Sequence, residues 1–274
     1  MSLRFTILGC GSSAGVPRLG SGWGACDPNN PRNRRRRCSL LVERFSGPHV
    51  TRLLIDTSPD LREQLLDADV SHLDGVLYTH PHADHTHGID DLRAFALHQR
   101  RRIDVYLDAA TARSLHTRFA YCFETPPGSS YPPILREHRI EPGIPVSVAG
   151  AGGTIQALPV LQMHGDIHSL GFRIGSLAYS CDLNGLPENS EAALAGLDVW
   201  IVDALRYAPH PSHWTLNETL DWIARLKPHR AILTNMHVDL DYDTLRNKLP
   251  PGVEPAFDGM QVVLPAVEHA AASH

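Results

Sequence analysis

Between Thr79 and Gly88 the chain reads Thr-His-Pro-His-Ala-Asp-His-Thr-His-Gly, which sets three imidazoles and a carboxylate, His80, His82, Asp84 and His85, within six residues. The preceding Gly75-Val-Leu-Tyr78 has the pattern of a buried strand, so these groups follow a strand's C-terminal end. Alternate side chains of an extended segment share a side, which puts His80 and His82 together. Asp84 and His85 come where the chain turns towards a helix starting near Gly88. One short segment can therefore feed two adjacent metal ions. Two imidazoles serve the first, and a carboxylate and an imidazole serve the second.

Two imidazoles do not complete a site, so further ligands must come from elsewhere. Three positions qualify, each just beyond an apolar run: His164 after LPVLQM, Asp182 after LAYSC and His237 after AILTNM. The 17 histidines, against 7 Phe and 4 Met, lean the same way, because imidazole is the commonest metal ligand and a proton carrier near neutral pH. The set is five His and two Asp with no thiolate, which suits zinc, manganese or iron.

With 42% apolar and 20% charged residues the chain can bury a sizeable core, and disorder is excluded. Short β-branched runs predict strands at Arg4–Leu8, Cys38–Glu43, Arg52–Asp56, Gly75–Thr79, Ile103–Leu107, Thr154–Pro159, Gly171–Ile174, Leu177–Ser180, Val199–Val202, Ala231–Thr234 and Gln261–Leu264. Helices are expected at Pro59–Ala68, Gly88–Gln99, Ala110–Tyr121, Glu188–Ala195, Leu216–Leu226 and Tyr242–Lys248. Leu216, Leu220, Ile223 and Leu226 repeat at helical spacing. Sheet layers covered by helices follow. Gly9–Arg37, Thr125–Pro133 and Leu205–His213 read as long loops. No internal repeat or linker is visible, so 1–274 reads as one domain with a fraying tail over 265–274.

The order H-x-H-x-D-H, then His164, Asp182 and His237, resembles the metallo-β-lactamase fold superfamily, and Asp56 in LLIDT matches that superfamily's first motif. The resemblance spans essentially the whole chain. It implies an α/β fold, an αββα sandwich of two mixed β-sheets flanked by helices, with a dinuclear site at one edge. By motif matching, His80, His82 and His164 would bind one metal, Asp84, His85 and His237 the other, and Asp182 would bridge them. Asp56 would orient the ligands. LGCGSSAGVPRLG, NPRNRRRRCSLLVE and FDGM are similar to the phosphodiesterase branch, in particular the phosphoribosyl 1,2-cyclic phosphate phosphodiesterases. Those enzymes often carry a Cys-rich structural zinc site in the first loop, whereas WGACDPNNP has Cys26 alone. The tRNA 3′-processing endonucleases share the metal motifs but usually carry an RNA-binding arm, and no long Gly/Lys-rich insertion is present.

The resemblance implies a hydrolase with two divalent cations, zinc or manganese. A hydroxide held between them stays deprotonated near neutral pH and attacks a small phosphodiester, a cyclic phosphate or nucleotide-like ester. The runner-up readings are tRNA 3′ processing and hydrolysis of a thioester or lactone. Asp84 and His213 are the catalytic candidates. His213 stands in a Pro-bounded loop before a helix and matches the branch's non-ligand histidine. Gly11 and Ser12, in the glycine-rich turn after the first strand, are candidates to turn backbone N–H groups towards a phosphate. Arg34–Arg37 reads as a solvated loop or as a set of ion pairs. The net charge of −5 argues against a large nucleic-acid surface. Five cysteines without C-x-x-C spacing point to a reducing cytoplasm. The apolar stretch of MSLRFTILGCGSSAG is too short for a signal peptide, no run approaches a membrane span, and a homodimer stays open.

Overall fold

The computed structural model describes residues 1–266. Two seven-stranded sheets stack face to face. The first holds β1 (Ser2–Gly9), β2 (Ser39–Ser46), β3 (His49–Ile55), β4 (Gly75–Leu77), β5 (Ile103–Leu107) and β6 (Leu135–Arg139) in chain order, with β14 (Met260–Pro265) beside β1. The second runs from β7 (Val146–Val148) through β8 (Ile155–His164), β9 (Ile167–Ile174), β10 (Leu177–Ser180), β11 (Val199–Asp203) and β12 (Arg230–Thr234) to β13 (Val253–Pro255). Each sheet is antiparallel along one half, up to β3 and up to β10, and parallel along the other. This is the αββα sandwich that the resemblance implied. The two sheets share a topology although the sequence shows no repeat.

The alternation of side chains explains why the runs are continuously apolar. Leu40, Val42, Leu53 and Ile55 point into the sandwich, where they meet Phe172, Tyr179, Ile201 and Leu233 of the second sheet. Leu41, Leu54, Val76 and Val105 point outward, and join residues of α1 (Leu61–Asp67), α3 (Leu92–Gln99) and α4 (Ala109–Phe123). A strand covered on both faces needs apolar residues at every position. α2 (Ala83–Thr86) is a single turn inside the histidine cluster. The second sheet is flanked by α5 (Glu188–Ala193), α6 (Leu216–Leu226) and α7 (Tyr242–Lys248). α6 starts in a Thr215–Glu218 capping box and buries Leu216, Thr219 and Ile223. No helix among the described residues is long and apolar enough to cross a membrane.

The expected strands omitted β6, β7 and β13, and stopped β8 at Pro159. β6 reads Leu-Arg-Glu-His-Arg because it is an edge strand, where charge guards the unpaired side. β8 continues through Pro159 because β7 pairs only with residues Ile155 to Ala157, so no ladder partner needs the missing N–H. The fraying expected from residue 265 is corrected at its start: Pro265 pairs with Ser2. Residues 267–274 of that tail lie outside the described residues.

This topology gathers the strand ends. β3, β4, β8, β10, β11 and β12 finish at one edge of the sandwich, where Leu170 N donates to Thr79 O (2.8 Å) and Met236 N to Cys10 O (2.9 Å), joining the sheets. The first loop is tied down too. Val16 and Arg35 exchange both backbone hydrogen bonds (2.9 Å each). Asp241, the N-cap of α7, accepts from Thr244 N (2.9 Å), Asp27 N (3.2 Å) and Asn33 Nδ2 (2.7 Å).

Burial raises the Asp241 pKa, but these hydrogen bonds outweigh it and bring it to about 2. Asp241→Ala should therefore lower stability at neutral pH by about 1–2 kcal/mol, as loss of a helix cap does, in urea denaturation. The folded pKa lies below the unfolded value of about 3.9, so the contribution is present above about pH 4 and lost as the pH falls towards 2. The gap between wild type and variant should close over that range. A gap independent of pH would mean that the carboxylate's charge plays no part.

Candidate metal centre

The site grows from Asp56, which follows β3 in a left-handed conformation (φ 64°) and is fully buried. Its carboxylate accepts from Thr79 N (2.8 Å), Thr79 Oγ1 (2.7 Å) and His85 Nδ1 (2.7 Å). Thr79 Oγ1, having donated its proton to Asp56, accepts from His80 Nδ1 (2.9 Å). Both rings are thereby anchored through Nδ1, which turns Nε2 inward. His164, the last residue of β8, is held the same way by Ser212 O (2.7 Å from Nδ1).

The free nitrogens converge on Asp182, which follows β10 with φ 57°. Its Oδ2 lies 3.3 Å from His80 Nε2, 3.2 Å from His85 Nε2 and 3.8 Å from His164 Nε2. Its Oδ1 accepts from Asn235 Nδ2 (2.7 Å). His82 Nδ1 stands 3.3 Å from His164 Nε2. One donor atom from each of His80, His82, His164 and Asp182 falls within 4.8 Å of the others, and so does one from each of His85, Cys181 and Asp182. His80 Nε2 and His85 Nε2 are buried without a hydrogen bond despite their closeness to Asp182. Buried polar atoms left unpaired are costly, and imidazole nitrogens that point at a common centre without bonding each other suit a cation.

The electrostatics agree. Burial, and then the charge of His85, hold His80 down at about 3, which keeps its ring neutral. Burial lowers His82 and His164 as well. Around His85, burial favours the neutral ring, but the charges of Asp182, Asp84 and Asp56 together raise its pKa well above the usual value. Three carboxylates facing one imidazole make a place for positive charge. Burial pushes the Cys181 thiol well up, so it stays protonated beside Asp182.

The other expected residues fall as follows. Asp84 sits beside the quartet with Oδ2 3.3 Å from His85 Nε2. His237 lines the same cleft, but its Nε2 accepts from the Arg18 guanidinium and its Nδ1 lies 3.1 Å from Asp239 Oδ1. Gly11 and Ser12 do not turn their N–H groups to the cleft, as their place in the turn had suggested. Gly11 N donates to Arg36 O (2.8 Å) and Ser12 N to Met236 O (3.2 Å), because the turn is clamped between two strand ends. Only the Ser12 side of the turn reaches the cleft wall. The Arg34–Arg37 run divides: Arg35 is buried, Arg36 pairs with Asp67 and Asp258, and Arg37 pairs with Asp60. All five cysteines are buried and free.

The cleft, about 280 Å³, is also lined by Ser13, Arg206, His210, Ser212, His213 and Leu205. His213 Nδ1 donates to Asp203 Oδ2 (2.7 Å). Burial opposes the charged ring, but the charge and hydrogen bond of Asp203 raise the His213 pKa to about 9. Asp203 was not foreseen. The signal was there, an Asp ending the apolar run VWIVD, the same signal that singled out Asp56 and Asp182. Asn235 had no such mark.

The β-lactamase superfamily domain family matches residues 51–236. An octanoyltransferase from Porphyromonas gingivalis (strain ATCC BAA-308 / W83) is 33% identical over 267 residues, 96% of this chain and 52% of that protein, so the chain spans about half the length of this curated relative. Among solved structures, a new diphosphatase from the PhnP family superposes with TM-score 0.86 at 33% identity, over 96% of this chain and 98% of that one. The Zn²⁺-bound PqqB of Methylobacterium extorquens (TM-score 0.72, 16% identity, 94% and 99% covered) and the short form of human tRNase Z (0.59, 15%, 96% and 99%) share the fold.

Asp56→Asn keeps the volume and presents an amide donor where His85 and Thr79 need an acceptor. It should weaken divalent-cation binding by about 10- to 100-fold, the usual effect of losing an outer partner. Chelator competition with zinc would measure it. Unchanged affinity in a folded variant would remove Asp56 from the site's design.

Proposed function

The chain belongs to the metallo-β-lactamase fold superfamily, and from that premise we propose that it is a metal-dependent phosphodiesterase that cleaves a small cyclic phosphate or nucleotide-like ester with two divalent cations. His80, His82 and His164 would hold one cation, Asp84, His85 and His237 the other, and Asp182 both. Bound there, such cations supply a water acidified from a pKa of about 15.7 to about 7 and positive charge for phosphoryl oxygens. The residues of the chain do the rest. Asp84, open to the cleft, accepts a proton from the attacking water. His213 donates from Nε2 to the leaving oxygen, and Asp203 keeps Nδ1 protonated and the ring in place.

The observation that carries this reading is the character of the cleft. Apart from the His and Asp groups its wall is Ser, Arg and Asn, and Leu205 is its one apolar side chain. Such a wall suits an anion and gives a fatty acyl chain nothing to pack on, which weighs against acyl transfer or thioester hydrolysis. The octanoyltransferase name belongs to a protein about twice as long, so it does not weigh against phosphoryl chemistry in this half. The likeness to a diphosphatase along nearly the full length of both chains supports it. The ion pairs of Arg36 and Arg37 and the burial of Arg35 commit most of the first loop's arginine run to the fold, which favours a small substrate over precursor tRNA.

The test is activity profiling of zinc- and manganese-loaded protein on cyclic ribose phosphates, cyclic nucleotides, a nitrophenyl phosphodiester, precursor tRNA and an acyl thioester. Diesters should turn over fastest. Good thioester cleavage with no diester cleavage would move the assignment to the runner-up class. His213→Ala should keep metal content while lowering turnover by roughly two to four orders of magnitude on a diester with a poor leaving group. The loss should shrink for a nitrophenolate leaving group, which needs little protonation. Wild-type turnover of a poor-leaving-group diester by the variant would reduce His213 to a loop histidine.

A further inference from the structure

Arg18 sits at the base of a small hairpin in the first loop. Its backbone closes on Gly22 with two hydrogen bonds (Arg18 N to Gly22 O, 2.8 Å; Gly22 N to Arg18 O, 2.9 Å). Gly20 (φ 80°) and Gly22 (φ 67°) have open space where a side chain would stand, and Leu19, just before them, is 99% exposed. The hairpin tip is thus unpacked and has room to move. The neighbouring arginines of the loop are anchored: Arg36 and Arg37 in ion pairs, Arg35 by burial. Arg18 is different. Among the described residues it forms no ion pair with a carboxylate. Its guanidinium reaches into the cleft and donates to His237 Nε2.

That contact has a chemical consequence. A neutral imidazole has one lone pair, and a guanidinium and a metal ion cannot both take it. In the quartet of His80, His82, His164 and Asp182 the donor atoms already converge, and its one ring-to-ring contact, His82 Nδ1 to His164 Nε2, yields by a change of tautomer, whereas a guanidinium keeps its protons. A cation at Asp84, His85 and His237 must first displace Arg18. Once displaced, the guanidinium has lost its partner at the wall of a cleft too polar for anything but a polar ligand. Its paired N–H groups match the oxygens of a phosphoryl group.

We propose that Arg18 is the anion-binding residue of this cleft, held on His237 until a cation takes that nitrogen and then released to bind a phosphoryl oxygen of the substrate. The identity of the anion rests on the phosphodiesterase reading; the exchange at His237 does not. Two properties follow. The second cation binds more weakly than the first, and anion binding depends on Arg18 only once both cations are present.

The experiment is calorimetry on wild type, Arg18→Gln and Arg18→Lys, with zinc titrated into metal-free protein and inorganic phosphate into zinc-loaded protein. In Arg18→Gln the first zinc equivalent should be unchanged, which also reports an intact fold. The second should tighten by roughly tenfold, and phosphate should weaken by roughly tenfold, the scale of one charge-assisted hydrogen bond. Arg18→Lys should retain part of the phosphate affinity, as a point charge without the fork. An unchanged second equivalent, an unchanged phosphate affinity, or a wild type that takes only one equivalent would each overturn the proposal. No turnover is needed. A protein that binds as expected but cleaves no diester would sink the phosphodiesterase reading and leave the role of Arg18 standing.

Discussion

A carboxylate without exposed surface holds the centre together. Asp56 accepts from the backbone and hydroxyl of Thr79 and from the ring of His85, and through Thr79 it reaches His80. Burying a charge is costly unless every lone pair finds a donor, and here the donors are the groups that must be aligned. Burial raises the Asp56 pKa, while His85 and Thr79 pull it back. The requirement to satisfy this carboxylate dictates the turn after β4, the anchoring of two histidine rings through Nδ1 and the direction of their Nε2 atoms.

The same device recurs at three strand ends. Asp56 (φ 64°), Asp182 (φ 57°) and Asn235 (φ 59°) each leave a strand in the left-handed region, which Asp and Asn tolerate better than other non-glycine residues. The reversal folds each side chain back across the sandwich edge instead of out into solvent. Asn235 then ties the two later strand ends together, donating to Asp182 and standing 3.3 Å from His213 Nδ1. Local strain of this kind persists where the surrounding structure over-determines it, and it clusters at working sites.

The first loop supplies the opposite wall through polar bonds, with no secondary structure of its own beyond a short turn. Arg35, buried among Cys26, Asn33 and the carbonyl of His237, and Asp258, which accepts from Cys10 N and Arg36 N, staple it to the second sheet and to the turn before β14. Burial raises the Asp258 pKa to about 6 even against the hydrogen bonds and charge of Arg36. Of the two readings of the arginine run, a solvated loop or a set of ion pairs, the fold takes mainly the second, and Arg18 is the arginine left to meet His237.

Local chemistry was legible because it is written in short range. Ligand types at tight spacing, apolar runs ended by His or Asp, and the capping of α6 depend on neighbours a few residues apart, so sheet layers covered by helices, the histidine cluster, and His164 and Asp182 beside it could be read from the chain, while the sandwich itself came with the family resemblance. What the linear pattern lacked was anything set by distant pairing. Edge strands such as β6 are charged because of what lies beside them in the sheet, and β8 runs through Pro159 because its neighbour is short. Asp203 matters only because the loop to His213 returns to it, and the N–H groups of Gly11 and Ser12 are committed by carbonyls 25 and 224 residues away in sequence. The sequence by itself determined which groups are available to bind metal. Which nitrogen faces the centre, which proton is held and which cation guards His237 were decided by hydrogen bonds between segments that meet only when the two sheets close on each other.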